Sequence, residues 1–498
     1  MPQKTPDTQL LRGGALVTGL ALLASPLGYL IRVVLSRSLT VEMYGLFYAM
    51  LSFIGIFTTY NDLGFGYALS YLVPKFIRRR AFGQAWLAYH YERTIELVTA
   101  GALSIGLVLL APWLARSYFK VPQGSWLLII FCGYFLANSY VSALHKFFLG
   151  LRQEKVHSLV QPAVLAFTLV GLVMCLILGQ KNVFAFALSW TGGYVLTGLL
   201  FSFLNGHINS HLTKQHVRWD STLFKQMLRL ALPTIMTSTI FTFITSMDTV
   251  FLTIFHGVTA VGVFNIILPL AAIPAVLFSP LDGFIYPHIS HLADGERTKI
   301  SEMLTVTQKM IIWITLYFGT FIALYPEAIV RTLFGEQWVI ATGTGLRLYA
   351  CTFVLFALSS HYNSAISGMG QVAARLRASL WLAILNATLG AFLIWRFGVL
   401  GAVAANIAVS LAGCIFFLHI LRREVAVTVP VRYLGTLLLQ CISLAVIFFG
   451  LKISPVQFGE VVLVGVVYSV LFVTASIFGN ALPFPLQNLQ AAIQQNRS

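Results

Sequence analysis

The hydrophobic pattern of this chain consists of long apolar runs separated by short groups of charged and turn-forming residues. The runs are roughly 20 residues long, the length of a helix that crosses a bilayer, whereas a barrel strand needs only about 10 residues. Their continuity, without alternation, also favours helices. The predicted spans cover residues 13–36, 44–73, 92–115, 125–148, 156–179, 183–204, 223–255, 259–290, 302–325, 340–363, 376–395, 399–421, 431–451 and 459–479.

Composition indicates that this chain has lipid as its solvent. Of its 498 residues, 58% are hydrophobic and only 10% are charged, too few polar groups to cover a soluble protein. Backbone groups in hydrocarbon need internal partners, so spanning segments are helices or closed barrels. The predicted fold class is therefore all-α integral membrane, with about fourteen transmembrane helices.

The basic residues are distributed unevenly between the two ends of the predicted spans. Of the 32 Lys and Arg residues, 23 fall on the side of the amino terminus and 9 on the other side. Because cytoplasmic loops are enriched in Lys and Arg, both termini are predicted to be cytoplasmic, in a multi-pass protein of the cell membrane. This bias accounts for the net charge of +16. The sequence shows no basic domain with interleaved aromatic residues, the pattern that would indicate nucleic-acid binding.

Short motifs recur at a nearly constant spacing along the chain. Gly45-Leu-Phe47 matches Gly262-Val-Phe264 at an offset of 217, and Gly150-x-x-Gln153 matches Gly368-x-x-Gln371 at an offset of 218. An even number of helices per copy predicts two like-oriented lobes related by a pseudo-two-fold axis along the membrane normal. The predicted domains are an amino-terminal six-helix lobe at 1–210, a carboxy-terminal six-helix lobe at 211–425, two additional transmembrane helices at 426–480 and a cytoplasmic tail at 481–498.

Two amino-terminal segments resemble a known family. Residues 36–47 read SRSLTVEMYGLF, and residues 62–66 read DLGFG. They resemble the start of the polysaccharide transporters, the lipid-linked oligosaccharide flippases of the multidrug/oligosaccharidyl-lipid/polysaccharide exporter superfamily. The pair Thr40-Val41 departs from the Gly-Pro that members often carry, which affects only a turn.

The resemblance implies two six-helix lobes around a central cavity that opens alternately to each side of the membrane. It further implies that a glycan on a polyprenyl pyrophosphate carrier crosses from the cytoplasmic to the outer leaflet, with no bond made or broken. The implied partners are this lipid-linked glycan, membrane lipids and a glycan polymerase or glycosyltransferases, and the protein is expected to be a monomer.

Charged and amide side chains within the spans are the candidates for substrate binding, because a flippase must give a charged head group a polar path through the bilayer. Arg32 and Asp248 occupy similar positions in the first helix of each predicted lobe, and we expect Arg32 to bind phosphate or to pair with Asp248 when no substrate is present. The alternative is that Arg32 extends to the outer interface. The candidate substrate-binding residues are Arg32, Arg347, Arg375, Arg377, Asn363 and Gln371.

Four further residues are candidates for ion coupling or gating. Asp62 and Asp282 end corresponding spans, where paired acids can couple transport to protons or sodium. The favoured alternative is that they cap a helix or pair with nearby basic residues. Asp248 and His361 complete the set, although a hydrogen-bonded structural role for His361 is favoured over proton relay. Arg93 and Glu96, three residues apart on the third span, are predicted to pair with each other.

Two other classes of protein remain as alternatives. A multidrug exporter of the same superfamily shares the lobes but usually has twelve spans. A polytopic glycan ligase or glycosyltransferase generally has an extended outer loop with catalytic groups, and every connection predicted here is short. No nucleophile motif, glycine-rich phosphate loop or metal-ligand spacing is apparent. We therefore expect a transporter without catalytic residues, metal or cofactor.

Overall fold

A computed structural model describes residues 24–215, 218–271, 273, 285, 289, 297–453 and 455–483. Within these residues the chain is helical and contains no β-strand. It divides into two compact units, Met1–Gly262 and Val263–Ser498. The predicted domain limits at 210/211 and 425/426 stay predictions.

The amino-terminal unit is built from nine helices in its described residues. The described part of α1 covers residues 24–38. The others are α2 (Val41–Thr58), α3 (Phe65–Arg78), α4 (Phe82–Ser117), α5 (Gly124–Gly150), α6 (Glu154–Ile177), α7 (Val183–Ile208), the short α8 (Ser210–Thr213) and α9 (Ser221–Ala271), whose last residues belong to the second unit.

The described part of the carboxy-terminal unit continues with eight numbered α-helices. They are α10 (Arg297–Leu324), α11 (Pro326–Phe334), α12 (Val339–Cys351), α13 (Phe353–Gly368), α14 (Val372–Leu385), α15 (Ala391–Glu424), α16 (Val431–Gly450) and α17 (Phe458–Phe478). A 3₁₀ turn at Glu336–Trp338 precedes α12, and a π-helical turn at Asn386–Gly390 joins α14 to α15.

Ten helices in the described part of the chain are long and apolar enough to cross a membrane, or up to eleven if one bent pair counts as a span. Many large apolar side chains on them are exposed, for example Leu109 (76%) and Trp126 (70%), as expected for surfaces that face lipid. The all-helical membrane class is therefore confirmed. The count of fourteen and the symmetry of the lobes stay predictions.

The predicted span 44–73 is wrong as a continuous helix. It is interrupted between Thr58 and Phe65, where Leu63 (φ +46°) and Gly64 (φ +76°) adopt left-handed backbone. Asp62 Oδ1 accepts a hydrogen bond from the Gly64 amide at 2.9 Å, which stabilises the turn. A Cβ on Gly64 would also lie 2.4 Å from the carbonyl oxygen of Ala231, so this position requires glycine.

Two other breaks fall between predicted spans. Gly257 (φ 78°, ψ 179°) interrupts α9 in the predicted gap between 223–255 and 259–290. Gly398 (φ 59°, ψ −128°) interrupts α15 in the predicted gap between 376–395 and 399–421. Both glycines adopt backbone conformations that other residues rarely reach, so each ends one helical segment and begins the next without a long loop.

Two glycines that match in the sequence repeat contact each other within the amino-terminal unit. A Cβ on Gly262 would lie 3.1 Å from the Cα of Gly45, and a Cβ on Gly45 would lie 2.0 Å from the carbonyl oxygen of Val258. The backbones of α2 and α9 therefore approach closely through small residues, a common device in membrane helix packing.

Candidate functional site

A buried cluster of charged side chains joins three segments of the amino-terminal unit. Lys146 extends from α5, Glu92 and Glu96 lie one helical turn apart on α4, and Asp62 lies in the turn between α2 and α3. The interrupted α2–α3 segment thus brings a carboxylate from a turn next to two carboxylates from a long helix.

The Lys146 ammonium is the centre of this cluster. Its Nζ atom lies 3.0 Å from Asp62 Oδ2, 3.2 Å from Glu92 Oε1 and 3.2 Å from Glu96 Oε2. An ammonium has three N–H groups, so each carboxylate receives one of them. The Glu92 and Glu96 side chains are 0% and 2% exposed, whereas those of Asp62 and Lys146 are 20% and 25% exposed, so the cluster has a dry side and a partly wet side.

Small and polar neighbours fix the position of the cluster. The buried Asn61 donates from Nδ2 to Ser139 Oγ at 2.6 Å, and the Thr99 hydroxyl donates to the Asn61 carbonyl. A Cβ on Gly66 would lie 2.5 Å from Lys146 Cδ and 2.7 Å from Asp62 Oδ2. Glycine at position 66 therefore leaves the space through which the lysine chain reaches the acids.

The formal charges of the cluster do not balance. One ammonium and three carboxylates carry a net charge of −2 when all are ionised. Unit charges about 5 Å apart repel by roughly 3 kcal/mol even at an effective dielectric constant of about 20. Glu92 Oε2 is buried and has no hydrogen-bond partner in the described part of the chain. The cluster therefore holds more negative than positive charge on its buried side.

Arg32, the first predicted substrate-binding residue, lies among tyrosines of the same unit. Its Cζ atom is 4.7 Å from the centroid of the Tyr48 ring, and the Tyr44 ring packs against that of Tyr48 with their centroids 4.7 Å apart. The side chain is half-buried. Aromatic faces stabilise a partly desolvated guanidinium and leave its N–H groups suited to phosphate oxygens. Its predicted pairing with Asp248, which is buried on α9, stays a prediction.

The carboxy-terminal candidates form separate pairs. Arg347 Nη2 donates to both carboxylate oxygens of Glu327, at 2.9 and 3.0 Å, and Arg375 Nε donates to Asn363 Oδ1 at 3.0 Å. Arg377 is exposed beside Arg375 on α14. The structure brings Arg375 and Asn363 together, whereas Arg347 is held by Glu327, which is not among the predicted site residues.

The glutamines of the repeated motif make equivalent contacts. Gln153 precedes α6 and donates to Asn209 Oδ1, next to the end of α7, at 2.6 Å. Gln371 precedes α14 and donates to Glu424 Oε1, at the end of α15, at 3.1 Å. Each glutamine thus ties the start of a pair of helical segments to its end. The substrate-binding role of Gln371 stays a prediction.

The remaining ion-coupling candidates differ in their surroundings. His361 is fully buried, with Nε2 3.1 Å from Thr307 Oγ1. Asp62 both caps the α2–α3 turn and pairs with Lys146. Asp282 lies outside the described residues. Within the described residues, no group of three or more His, Cys, Asp and Glu side chains is arranged to hold a metal ion.

Sequence reasoning missed three members of the charge cluster. The predicted pairing of Arg93 with Glu96 is wrong, because Glu96 bonds Lys146 while Arg93 Nη2 lies 3.0 Å from His90 Nδ1. The available signal was the i,i+4 spacing of Glu92 and Glu96, which places two acids on one helix face, together with a lysine inside another apolar run. Such charges need partners from other helices.

Comparison with known proteins identifies the family. A family model described as polysaccharide biosynthesis protein matches residues 10–293, more than half of the chain. The chain belongs to the polysaccharide biosynthesis protein family. This membership confirms the family resemblance that residues 36–47 and 62–66 predicted.

Two relatives match this chain over different lengths. An uncharacterized membrane protein of Methanocaldococcus jannaschii, MJ1068, is 20% identical over 403 residues, 77% of this chain and 78% of the relative. The probable low-salt glycan biosynthesis flippase Agl15 of Haloferax volcanii is 23% identical over 209 residues, 41% of this chain. That second match spans less than half of Agl15, 44% of its length.

Solved structures show the fold of this family member. The lipid II flippase MurJ in an inward closed conformation superposes with a TM-score of 0.74 at 13% identity, covering 93% of this chain and 98% of MurJ. An inward-facing multidrug resistance MATE family transporter superposes with a TM-score of 0.67 at 16% identity, covering 82% and 98%. The chain therefore has the fold that MurJ and MATE transporters share.

Proposed function

We propose that this protein moves a lipid-linked oligosaccharide or polysaccharide precursor from the cytoplasmic to the outer leaflet by alternating access of two six-helix lobes. The observation that carries the proposal is the family match over residues 10–293. The flippase names of Agl15 and MurJ support it. The process is transport without bond chemistry, and the substrate is a glycan on a polyprenyl pyrophosphate carrier.

Physical chemistry also supports a polar, charged substrate. Charged side chains in a lipid-facing protein are costly, and they are usually kept where they meet a substrate, an ion or each other. This chain keeps Arg32 and the four-residue charge cluster within or next to its membrane helices. A carrier of purely apolar molecules would have little use for them.

Reconstitution tests the function directly. The full chain in proteoliposomes is expected to make a fluorescent lipid-linked oligosaccharide in the inner leaflet accessible to an external glycosidase. Protein-free vesicles and vesicles with an unrelated multi-span protein provide the baseline. Accessibility no faster than in these controls would contradict the proposal.

A multidrug exporter is the second candidate, favoured by the MATE-like fold. The same vesicles loaded with a fluorescent cationic drug separate the two functions. We expect no drug efflux above the protein-free baseline. Efflux of the drug without movement of the glycan lipid would establish the exporter instead.

Arg32→Gln tests the proposed contact with phosphate. Because charge-assisted hydrogen bonds contribute about 1.5–3 kcal/mol each, we expect flipping of the glycan lipid to fall by about ten-fold or more. Arg37→Gln, an exposed arginine on the same helix, is the matched control and should retain activity. Equal rates for wild type and Arg32→Gln would remove the binding role and favour simple interfacial anchoring.

We propose that the charge cluster of Lys146, Asp62, Glu92 and Glu96 couples transport to a proton gradient. The ammonium of Lys146 already lies between the three carboxylates, where a sodium ion would need to bind, so a proton on a carboxylate is the better-suited charge. Proton uptake would weaken the bond from Lys146 to that acid and loosen the α2–α3 turn against α4 and α5.

Asp62→Asn tests this coupling while keeping an oxygen that can cap Gly64. We expect the variant to flip the glycan lipid at a rate that no longer responds to an imposed pH difference, whereas Glu154→Gln, at an exposed acid on α6, responds like wild type. The measurement is the flipping rate with and without protonophore and sodium ionophore. A wild-type rate that is unchanged when both gradients are collapsed would rule the coupling out.

A further inference from the structure

A basic pocket lies where the ends of α3 and α5 meet. It has a volume of about 560 Å³. From α3 it is lined by Ser70, Tyr71, Pro74, Lys75 and Arg78, and from the end of α5 and the turn after it by Gly150 and Arg152. All of these residues belong to the amino-terminal unit, and the pocket is separate from the Lys146 cluster in its lining residues.

The pocket exists because α5 approaches α3 closely at its last turn. A Cβ on Gly150 would lie 3.0 Å from Val73 Cβ, so a larger residue there would push the two helices apart. After Gly150 the chain turns at Arg152, whose backbone is left-handed (φ +57°). Glycine at the contact and the tight turn after it together place the Arg152 side chain beside the last turn of α3.

Three cations line this pocket, and no Asp or Glu of the described residues lines it. None of the three is ion-paired within the described part of the chain. The Lys75 ammonium lies 3.5 Å from the centroid of the Tyr71 ring, which holds it beside the pocket without neutralising it. The concave shape concentrates the positive potential of the three side chains.

Helix ends do not cancel this charge. The carboxyl ends of α3 and α5 each carry about half a negative charge, so two ends oppose three full positive charges and leave about +2. The pocket thus offers cations for phosphate oxygens.

We propose that this pocket binds the phosphate group of an anionic lipid. Arg78 and Arg152 provide planar guanidinium groups that match phosphate oxygens, and Lys75 adds a point charge. The shared chemistry is a phosphate on a lipid, from either of two sources: a polyprenyl pyrophosphate or an anionic phospholipid of the surrounding membrane. The site does not depend on transport and is tested by binding alone.

The experiment compares two double variants of the purified full-length protein. R78Q/R152Q removes two charges from the pocket, and R79Q/R80Q removes two exposed charges from the adjacent positions, which do not line it. Affinity is measured for farnesyl pyrophosphate and for dioleoyl phosphatidylglycerol, with dioleoylglycerol as the probe without phosphate. Because all four arginines are exposed, neither variant should unfold, and melting temperatures verify this.

We expect R78Q/R152Q to weaken binding of a phosphate probe by about ten-fold or more, and R79Q/R80Q by less than about two-fold. A loss for farnesyl pyrophosphate alone assigns the pocket to the glycan carrier, a loss for phosphatidylglycerol alone assigns it to a membrane phospholipid, and a loss for both assigns it to lipid phosphates in general. Equal losses in the two variants, or wild-type binding no tighter than that of dioleoylglycerol, would overturn the proposal.

Discussion

Replacing Lys146 with Met is expected to lower the free energy of unfolding by about 3–5 kcal/mol, because the change leaves buried carboxylates without their cation. Met preserves much of the volume of the lysine chain, so the loss reports charge and hydrogen bonding more than packing. Three bonds disappear together, those to Asp62, Glu92 and Glu96. The measurement is thermal unfolding of the purified protein in detergent.

Lys155→Met is the matched control, since Lys155 is an exposed cation in the first turn of α6. Its replacement removes the same charge and should change stability by less than about 0.5 kcal/mol. If both variants melt at the wild-type temperature, the cluster does not stabilise the fold.

A second substitution separates unpaired charge from lost packing. In the Lys146→Met background, Glu92→Gln removes the most deeply buried of the unbalanced carboxylates. We expect it to restore part of the stability, whereas the same change in the wild-type background should not stabilise the protein by as much. The difference between the two effects is the coupling energy of the pair.

The membrane class was predictable from the sequence, because a spanning helix leaves a hydrophobic run of fixed minimum length. The breaks at Gly257 and Gly398 were predictable as gaps because polar or charged residues and glycines interrupt the apolar pattern there. The break after Thr58 carries a similar interruption, at Asn61, Asp62 and Gly64, but the apolar residues close on both sides of it predicted a single span over 44–73. What ends that helix is the backbone at Leu63 and Gly64, and hydropathy does not report backbone conformation.

The candidate site was less predictable than the fold. Asp62 was expected either to pair or to couple an ion, and its pairing with a basic residue is confirmed. That partner, Lys146, could not be identified from the sequence, because the contact depends on which faces of the helices meet. Lys146 on α5 also bonds Glu92 on α4, 54 residues earlier in the chain. Local spacing instead suggested the pair of Arg93 and Glu96. Glu96 pairs with Lys146 on another helix and not with Arg93 on its own helix. The free-energy cost of leaving a buried acid unpaired is larger than the cost of leaving an exposed arginine unpaired.

Gly45→Ala is expected to lower stability by about 1–3 kcal/mol, the usual cost of overpacking. The added methyl group would lie 2.0 Å from the carbonyl oxygen of Val258, a backbone atom that cannot rotate away. Alanine otherwise favours a helix over glycine, by roughly 0.5–1 kcal/mol. The sign of the measured change therefore reports whether the close approach of α2 and α9 is present in the protein.

Gly55→Ala on the same helix is the control, because a Cβ there meets nothing within 4 Å. We expect this variant to melt at or slightly above the wild-type temperature, and Gly45→Ala well below it.

Since Gly45 contacts Gly262, its counterpart in the repeat, Gly262→Ala should act in the same direction. Its added Cβ would lie 2.9 Å from the carbonyl oxygen of Val41. The double variant should lose less than the sum of the two single losses, because one separation of the helices relieves both clashes. A stabilised Gly45→Ala variant would mean that the two backbones do not meet.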